Sequence, residues 1–311
     1  MRALALGQLG GRPSLQDLPV PTAAPGEVLV RVRAASVNGF DVAVVAGWMS
    51  AYFEYLPPVV VGKDFAGVVE AVGDDVTGFA PGDRVFGVVT KTFLREGSYA
   101  EYTTVAQDVG LAHLPDGISF TDGAALGLAG SSAHDCVVAA ELEPGTTVLV
   151  VGSTGGVGTH VTQLAQLAGA RVIGTAHNAE QRAYLAALGV TEVVDYDADL
   201  AAQVHALAPE GVDVVVHLAG DAAGALAAAR PGGRFVSLLV FSPEMLPSDT
   251  VTVVPVAAHP SPETLATIAE NHATGRVRTL IDQTFSLEGA LDALAAYSGS
   301  KLGKIVITVD D

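Results

Sequence analysis

Residues 148–176 read VLVVGSTGGVGTHVTQLAQLAGARVIGTA, and this stretch decides the fold. An apolar run leads into a glycine-rich turn, a helical pattern follows, and a second apolar run begins near Arg171. Glycines permit the tight turn and let the backbone approach a pyrophosphate, while the start of the helix supplies N–H donors and a positive dipole end. The stretch therefore predicts a strand, a phosphate-binding turn, a helix and a second strand.

The turn does not match the strict G-x-G-x-x-G pattern, because Ser153 occupies the first position. The strand–turn–helix–strand context nevertheless favours a dinucleotide site over a purely structural turn. The residues expected to contact the dinucleotide are Gly152, Ser153, Gly155, Gly156, Val157 and Gly158.

The choice of dinucleotide depends on the end of the second strand, where an NAD site usually holds an acid for the ribose hydroxyls. This chain has Ala176, His177 and Asn178 there, with Arg182 one helical turn later. The missing carboxylate removes a repulsive charge, and His177, Asn178 and Arg182 could hold a 2′-phosphate. We therefore expect NADPH rather than NADH. For Arg182 alone, the alternative is that it is a solvated helix residue with no contact to the coenzyme.

Further apolar runs continue this pattern of strands and helices towards the C-terminus. Nearly continuous Val, Leu and Ile runs separated by helices predict a doubly wound parallel sheet of the α/β class, covered on both faces. The predicted strands are TTVLVVG, ARVIGTA, EVVDY, VDVVVHLAG, GRFVSLLV and VTVVPVAAH. Gly220 ends the fourth of these stretches, at the carboxyl edge of the sheet where cofactors bind, and is a further predicted contact.

The rest of the chain predicts a second lobe. Between about Leu4 and Thr121, short β runs are broken by Gly and Pro, as in an antiparallel or barrel-like β lobe. The C-terminal segment reads as a helix and then a strand, which we expect to return to that lobe. The predicted domains are residues 1–121 with 273–311 for the β lobe and residues 122–272 for the parallel sheet.

Composition limits the possible functions. The formal net charge is −18, with 34 acidic and 16 basic residues and no basic cluster, so nucleic acid is not an expected partner. No run approaches the roughly 18 apolar residues of a membrane span, and the N-terminus lacks a signal-type core, so a cytoplasmic location is expected. Cys136 is the single cysteine, and a buried small hydrophobe is its expected role.

Four motifs, in order, resemble the zinc-free quinone oxidoreductase branch of the medium-chain dehydrogenase/reductase superfamily. They are VNGFDVAVVAGW at 37–48, the GKDFAGVVEAVG…GDRVFG run at 62–87, STGGVG at 153–158 and GKIVITV at 303–309. The resemblance covers almost the whole chain. It implies a Rossmann domain with a β-rich, GroES-like substrate lobe.

The resemblance also implies that zinc is absent. Zinc-dependent relatives carry a Cys where this chain has Asn38 and a His where it has Lys63, whose ammonium would repel a cation. A structural zinc site of four cysteines is impossible with one Cys. Reduction of a simple ketone needs a Lewis acid or a proton donor at the oxygen, whereas a quinone or an enone spreads the charge over a conjugated system.

The family also suggests individual site residues. Asn38 and Asp41 would lie near the nicotinamide or the substrate, and Ser132 would contact the cofactor. A tyrosine of the loop after residue 47 would face the substrate, and Tyr52 is favoured over Tyr55. Tyr196 would lie by the adenosine phosphate. Each has a structural alternative: Asn38 as a turn residue, Asp41 as a helix N-cap, Ser132 as an ordinary helix hydroxyl, and packing for the tyrosines. Lys63 has no assigned role.

The expected function is therefore zinc-independent hydride transfer from NADPH to a quinone or an α,β-unsaturated carbonyl. The alternatives are an enoyl-thioester reductase of the same superfamily and a non-catalytic NADPH-binding or redox-sensing protein. A homodimer is expected, because relatives pair the strand that corresponds to VTVVPV across a two-fold axis. Tyr297 and Lys301 match the Tyr-x-x-x-Lys pair of short-chain dehydrogenases, but too few residues follow Lys301 for that fold.

Overall fold

The structure is a computed structural model that describes residues 1–299 and 302–310. Ser300, Lys301 and Asp311 lie outside the described residues, so the Tyr-x-x-x-Lys match is described only at Tyr297. The chain divides into two compact units. The first contains Met1–Ser131, His259–Gly275 and Thr279–Asp311, and the second contains Ser132–Ala258 and Arg276–Arg278.

The elements follow one another in a strand-rich first part and an alternating second part. The strands are β1 (Arg2–Leu6), β2 (Ser14–Asp17), β3 (Glu27–Ser36), β4 (Glu54–Tyr55), β5 (Val59–Val60), β6 (Asp64–Val72), β7 (Arg84–Val88), β8 (Phe93–Leu94), β9 (Tyr102–Ala106), β10 (Leu111–His113), β11 (Thr147–Val151), β12 (Arg171–Ala176), β13 (Glu192–Asp195), β14 (Val212–His217), β15 (Ala229–Ser237), β16 (Thr252–Pro255), β17 (Ile281–Ser286) and β18 (Lys304–Thr308). The helices are α1 (Gly39–Val45), α2 (Phe120–Ala140), α3 (Gly156–Leu167), α4 (Ala179–Ala187), α5 (Leu200–Leu207), α6 (Ala222–Leu226), α7 (Pro262–Ala273) and α8 (Ala290–Tyr297). Short 3₁₀ turns lie at Trp48–Ala51, Pro243–Met245 and Leu287–Gly289.

The first unit is built around a largely antiparallel sheet. Its strand order is β10-β7-β6-β3-β18-β17, and β9 also pairs with β3. The last strand, β18, runs antiparallel to β3 and parallel to β17, so the C-terminal segment returns to the first unit as expected. The inward side chains of β3, Val28, Val30 and Val32, are buried in the main apolar cluster of this unit.

The second unit contains a fully parallel sheet with the order β13-β12-β11-β14-β15-β16. All six predicted strands are confirmed. Along β11 the side chains alternate between the two faces: Val148 and Val150 belong to one apolar cluster, and Leu149 and Val151 belong to the other. Helices α2 and α3 contribute to the first cluster and α5 and α6 to the second, which is why a continuous Val/Leu strand is stable there. β16 is an edge strand of this sheet, and its use in a homodimer stays a prediction.

The unit boundaries differ from the predicted ones at two helices. Helix α2 begins in the first unit, where Leu126 is buried in an apolar cluster, and it ends in the second unit, where Ala133 and Cys136 are buried. Helix α7 was expected in the Rossmann domain. Its Leu265 and Ile268 instead pack in the first unit's cluster with Leu126, so residues 259–275 belong to the first unit.

Cys136 is fully buried in the second unit, and its expected role as a small buried hydrophobe is confirmed. Burial raises the pKa of its thiol to about 12, so the thiolate needed for nucleophilic chemistry is strongly disfavoured.

No helix in the described part of the chain is long and apolar enough to span a membrane.

Candidate functional site

The glycine-rich turn joins β11 to α3 at the carboxyl edge of the parallel sheet. Helix α3 begins at Gly156, with the extended Gly155 as its N-cap and, among the described residues, no side-chain hydrogen bond that caps it. Uncapped N–H groups at the start of a helix, together with the helix dipole, bind anions such as phosphate. The turn therefore fits the pyrophosphate of a dinucleotide.

The glycines of this turn serve different purposes. Gly152 has a φ of +87°, which favours glycine. A Cβ at position 158 would lie 2.0 Å from the carbonyl oxygen of Gly152, so Gly158 is required for close packing of helix on strand. A Cβ at position 155 would meet only that same oxygen, at 3.5 Å. The fold itself does not require a glycine at 155, and the space beside it is available to a ligand.

The hydroxyl of Ser153 has a structural role. Ser153 is fully buried, and its Oγ donates to the carbonyl of Thr175 at 2.8 Å and accepts the N–H of Thr175 at 2.9 Å. The Oγ1 of Thr175 in turn accepts the N–H of Gly152 at 2.9 Å. These bonds connect the turn after β11 to the end of β12, so Ser153 can reach a ligand only through its backbone. Val157, also a predicted contact, packs against the α2 and α3 side of the sheet.

The three side chains expected to hold a 2′-phosphate all have partners within the second unit. Asn178 is the N-cap of α4, and its Oδ1 accepts the N–H of Gln181 at 2.9 Å. Arg182 donates to the carbonyl of Val193 at 2.9 Å. His177 lies 2.8 Å from a carboxylate oxygen of Asp197, and its ring is 4.4 Å from the ring of Tyr196.

The predicted contacts Tyr196 and Gly220 lie against each other. Gly220 has a φ of +80°, and a Cβ there would come within 2.3 Å of the Tyr196 hydroxyl oxygen. The carbonyl of Gly220 lies 3.2 Å from Nε2 of His217, the last residue of β14, whose Nδ1 is 2.9 Å from the hydroxyl of Ser237. No sequence motif pointed to His217.

A group of polar side chains is buried in the first unit around Asp64, which is itself fully buried. One carboxylate oxygen accepts from the hydroxyl of Ser36 at 2.6 Å and the amide of Asn38 at 2.9 Å, and lies 3.3 Å from the ammonium of Lys304. The other oxygen accepts the N–H of Leu128 at 2.7 Å. The negative charge is thus matched by one buried cation and three neutral donors, as a buried carboxylate requires.

Asn38 is held by this group. Its Oδ1 accepts from Lys304 at 2.6 Å, and its amide nitrogen donates to Asp64 and, at 3.3 Å, to the carbonyl of Ser36. Both N–H groups of the amide are therefore used inside the protein. Asp64 and Lys304 belong to the motifs of the family resemblance, but their types and positions in the sequence predicted no role for them.

Asp41 is a buried carboxyl beside this group. Its Oδ2 accepts the backbone N–H of Asn38 at 2.8 Å and the hydroxyl of Tyr99 at 3.0 Å, whereas its Oδ1 is buried without a hydrogen-bond partner. Asn38, rather than Asp41, is the N-cap of α1. Burial, together with the charge of Asp64, raises the pKa of Asp41 to about 7, against the lowering effect of its two donors. This carboxyl can exchange a proton near neutral pH.

Lys63, which has no role assigned from the sequence, is partly buried and bonded within the protein. Its Nζ donates to the carbonyl of Val89 at 2.8 Å and lies 4.6 Å from the ring centre of Phe40. Burial lowers the pKa of Lys63, and the carboxylates of Asp41 and Asp64 act in the opposite direction. A cavity of about 20 Å³, enough for one water molecule, is lined by both Lys63 and Asp41.

The remaining predicted residues are placed differently. Tyr52 is 67% exposed, whereas the hydroxyl of Tyr55 donates to the carbonyl of Val44 at 2.8 Å. Ser132 lies on α2 and is buried. These positions leave Tyr52 accessible and Tyr55 in a structural role, and the binding roles of Tyr52 and Ser132 stay predictions.

The residues at the positions of the family's zinc ligands do not suit a metal. Asn38 is engaged by a lysine, and Lys63 is itself a cation. Within residues 1–299 and 302–310, no group of three or more His, Cys, Asp or Glu side chains could hold a metal ion. The predicted absence of zinc from the protein rests on these residue types.

Comparison with known proteins adds the family. Residues 24–116 match the alcohol dehydrogenase GroES-like domain, and residues 156–259 match the zinc-binding dehydrogenase family. Quinone oxidoreductase of Rattus norvegicus is 30% identical over 327 residues, which cover 99% of this chain and 97% of that protein. The chain belongs to the quinone oxidoreductase branch of the medium-chain dehydrogenase/reductase superfamily. It is therefore an oxidoreductase of a nicotinamide-dependent type.

Two further relatives extend this result. The 2-methylene-furan-3-one reductase of Solanum lycopersicum is 31% identical over 299 residues, covering 94% of this chain and 74% of that protein. A crystal structure described as an NAD-dependent alcohol dehydrogenase superposes with a TM-score of 0.88 at 30% identity and covers 100% of both chains. The expected combination of a GroES-like and a Rossmann-type domain is confirmed.

Proposed function

We propose that the protein transfers hydride from NADPH to a quinone or an α,β-unsaturated carbonyl without a metal. The observation that carries the proposal is the presence of an ammonium, Lys63, and a lysine-bound amide, Asn38, where zinc-dependent relatives have ligands. The names of two relatives, a quinone oxidoreductase and a furanone reductase, support a conjugated acceptor.

A conjugated acceptor suits these residues. When bound, NADPH supplies the hydride. The negative charge that the acceptor gains is spread over its conjugated system, so a proton from water is sufficient and a Lewis acid is not needed. The uncapped start of α3 binds the pyrophosphate, and the buried Asp64 and Lys304 fix the orientation of Asn38.

The preference for NADPH is supported by the residues after β12. No carboxylate occupies positions 176–178, and His177, Asn178 and Arg182 follow. Arg182 is only partly buried, so its guanidinium has donors beyond the one that binds the carbonyl of Val193. A 2′-phosphate would compete with Asp197 for His177. Because one related structure is described as NAD-dependent, the preference between NADPH and NADH has to be measured directly.

The first experiment is a steady-state screen of NADPH and NADH oxidation with quinones, enones, alkenals and acyl thioesters. We expect turnover with quinones or enones and a higher kcat/KM for NADPH. Selective turnover of acyl thioesters would identify an enoyl-thioester reductase instead, and binding without turnover would identify a non-catalytic protein. Activity that is lost with a chelator and restored by zinc would contradict the metal-free mechanism.

The second experiment tests coenzyme choice with Arg182→Gln, which keeps an N–H donor for the carbonyl of Val193 and removes the charge. Loss of a charge-assisted bond to the phosphate should lower the NADPH/NADH ratio of kcat/KM roughly tenfold. Arg171→Gln is the matched control, because Arg171 lies at the amino end of β12 and pairs with Glu192. An unchanged ratio in Arg182→Gln would exclude Arg182 from the phosphate site.

A further inference from the structure

His217 is the most deeply buried histidine at the carboxyl edge of the parallel sheet, with 1% of its surface exposed. Its ring stacks on Phe235, with the ring centres 5.2 Å apart. Both ring nitrogens have partners: Nδ1 lies 2.9 Å from Oγ of Ser237, and Nε2 lies 3.2 Å from the carbonyl oxygen of Gly220. The imidazole therefore connects the end of β14 to the end of β15 and to the turn that follows β14.

The hydrogen-bond partners determine where the protons are. Oγ of Ser237 accepts two backbone N–H groups, from Leu239 and Val240, each at 3.0 Å. Its two lone pairs are then used, so its own proton is the one that bonds to Nδ1 of His217. The ring proton must be on Nε2, where it is donated to the carbonyl of Gly220, because a carbonyl only accepts. His217 is thus neutral, in the Nε2–H form.

The turns joined in this way belong to the carboxyl edge of the sheet. A Cβ at Gly152 would come within 3.1 Å of Cβ of Ala219, so the turn at 218–220 packs against the first glycine of the phosphate-binding turn. On its other side, Gly220 lies against the hydroxyl of Tyr196. Residues 238–240, which follow β15, are held by Ser237. One imidazole thus fixes the turns after two adjacent strands next to the glycine loop.

We propose that His217 is a positioning residue for the dinucleotide, which holds the turns at 218–220 and 238–240 in their binding conformation as a neutral imidazole. This inference rests on the proposed function, since it requires a dinucleotide at the carboxyl edge. Protonation of Nδ1 would place a second donor opposite Ser237, whose lone pairs are already used. The two turns would then lose their common anchor, and dinucleotide affinity would fall.

The test compares two substitutions that each preserve one of the two hydrogen-bonding functions of the imidazole. His217→Asn keeps an acceptor near Ser237, and His217→Gln keeps a donor near Gly220. We expect each to raise the Kd of NADPH and of NADH roughly tenfold, while kcat at saturating dinucleotide changes by less than about twofold. Ser237→Ala should have a similar effect. His205→Gln is the control, since His205 also contacts a carbonyl, that of Ala227 at 3.2 Å, but lies on α5.

A pH series separates positioning from simple packing. Burial lowers the pKa of His217, and the charge of Asp221 opposes this. Among the described residues, Asp221 at the start of α6 and Tyr196 after β13 are titratable groups that face this region. With NADH, which lacks the 2′-phosphate, wild-type affinity should fall on the acid side of neutrality more steeply than the affinity of His217→Gln.

The outcomes distinguish the two proposals. Wild-type protein that binds neither dinucleotide would overturn the proposed function and this inference together. Wild-type protein that binds, with folded His217→Asn and His217→Gln variants whose Kd values lie within twofold of it, would overturn only the inference. Parallel pH dependences in wild type and His217→Gln would overturn the requirement for the neutral form.

Discussion

At the scale of single residues, Asp41 combines burial with an incomplete set of hydrogen bonds. One carboxyl oxygen has two donors and the other has none, and Asp64 lies close enough to oppose its ionisation. In the unfolded chain an aspartate ionises near pH 3.9. The folded protein therefore holds a proton that the unfolded chain releases between about pH 4 and the raised pKa of about 7.

This difference predicts that Asp41 lowers stability as the pH rises. The folded pKa is above the unfolded one, so the free energy of unfolding should fall between pH 4 and pH 7, by at most about 1.4 kcal/mol per pH unit from this group. Asp41→Asn, which stays neutral, should remove that slope, as measured by urea unfolding at several pH values. Tyr99→Phe removes a donor to the carboxylate and should therefore raise the pKa of Asp41 further. The free energy of unfolding should then continue to fall up to a higher pH than in wild type. Parallel profiles for wild type and Asp41→Asn would refute the assignment.

At the scale of elements, the segment from β11 to α3 contains two glycines, Gly155 and Gly158, that are subject to different constraints: packing within the fold and contact with a ligand. A Cβ at 158 would collide with the backbone of Gly152, whereas a Cβ at 155 would make only an ordinary van der Waals contact with that backbone, at 3.5 Å. Gly155 also has a φ of −77°, which any residue adopts. The packing of the fold therefore requires Gly158, whereas only a bound ligand would require Gly155.

We therefore expect Gly155→Ala and Gly158→Ala to behave differently. Gly155→Ala should keep the free energy of unfolding within about 0.5 kcal/mol of wild type, as an unstrained surface change does, and should raise the Kd of the dinucleotide. Gly158→Ala should lower stability by about 1–3 kcal/mol, as overpacking does, and also weaken binding. Thermal unfolding and dinucleotide titration of both variants provide the measurements. Unchanged affinity in Gly155→Ala would place the ligand away from this turn.

The elements themselves could be predicted because their signals are local. The Val-rich runs of β11 and β14 and the glycine turn between β11 and α3 lie within short windows of sequence. The side-chain contacts of the site depend instead on strand register: His217 pairs directly with Ser237 and Ser36 with Asp64, 20 and 28 residues away in the sequence. A single sequence does not contain that register. His217, Ser237 and Ser36 therefore could not be assigned to the site from the sequence, whereas His177 and Asn178 could, because they directly follow a predicted strand.

At the scale of the whole molecule, the predicted domain boundaries were displaced for a similar reason. Periodicity indicates that α2 and α7 are helices but not which apolar cluster each one enters. Helix α7 follows the Rossmann strands in the sequence, yet Leu265 and Ile268 pack with residues of the first unit such as Leu114. Only the burial of those side chains assigns the helix to its unit.

The net charge of −18 predicts how the whole molecule responds to salt. Self-repulsion among unpaired carboxylates destabilises the compact state, and raising the ionic strength from 0.01 to 0.15 M shortens the Debye length from about 30 to about 8 Å. Exposed ion pairs such as Arg171 with Glu192 are weakened by the same salt, but each contributes only about 0–1 kcal/mol. Because acids outnumber bases by 34 to 16, repulsion is the larger effect, and the Tm at pH 7.5 should rise with NaCl. At pH 5, near the isoelectric point of about 4.6, the same titration should change the Tm far less. A Tm that falls with NaCl at pH 7.5 would mean that attractive pairs dominate the electrostatics of this protein.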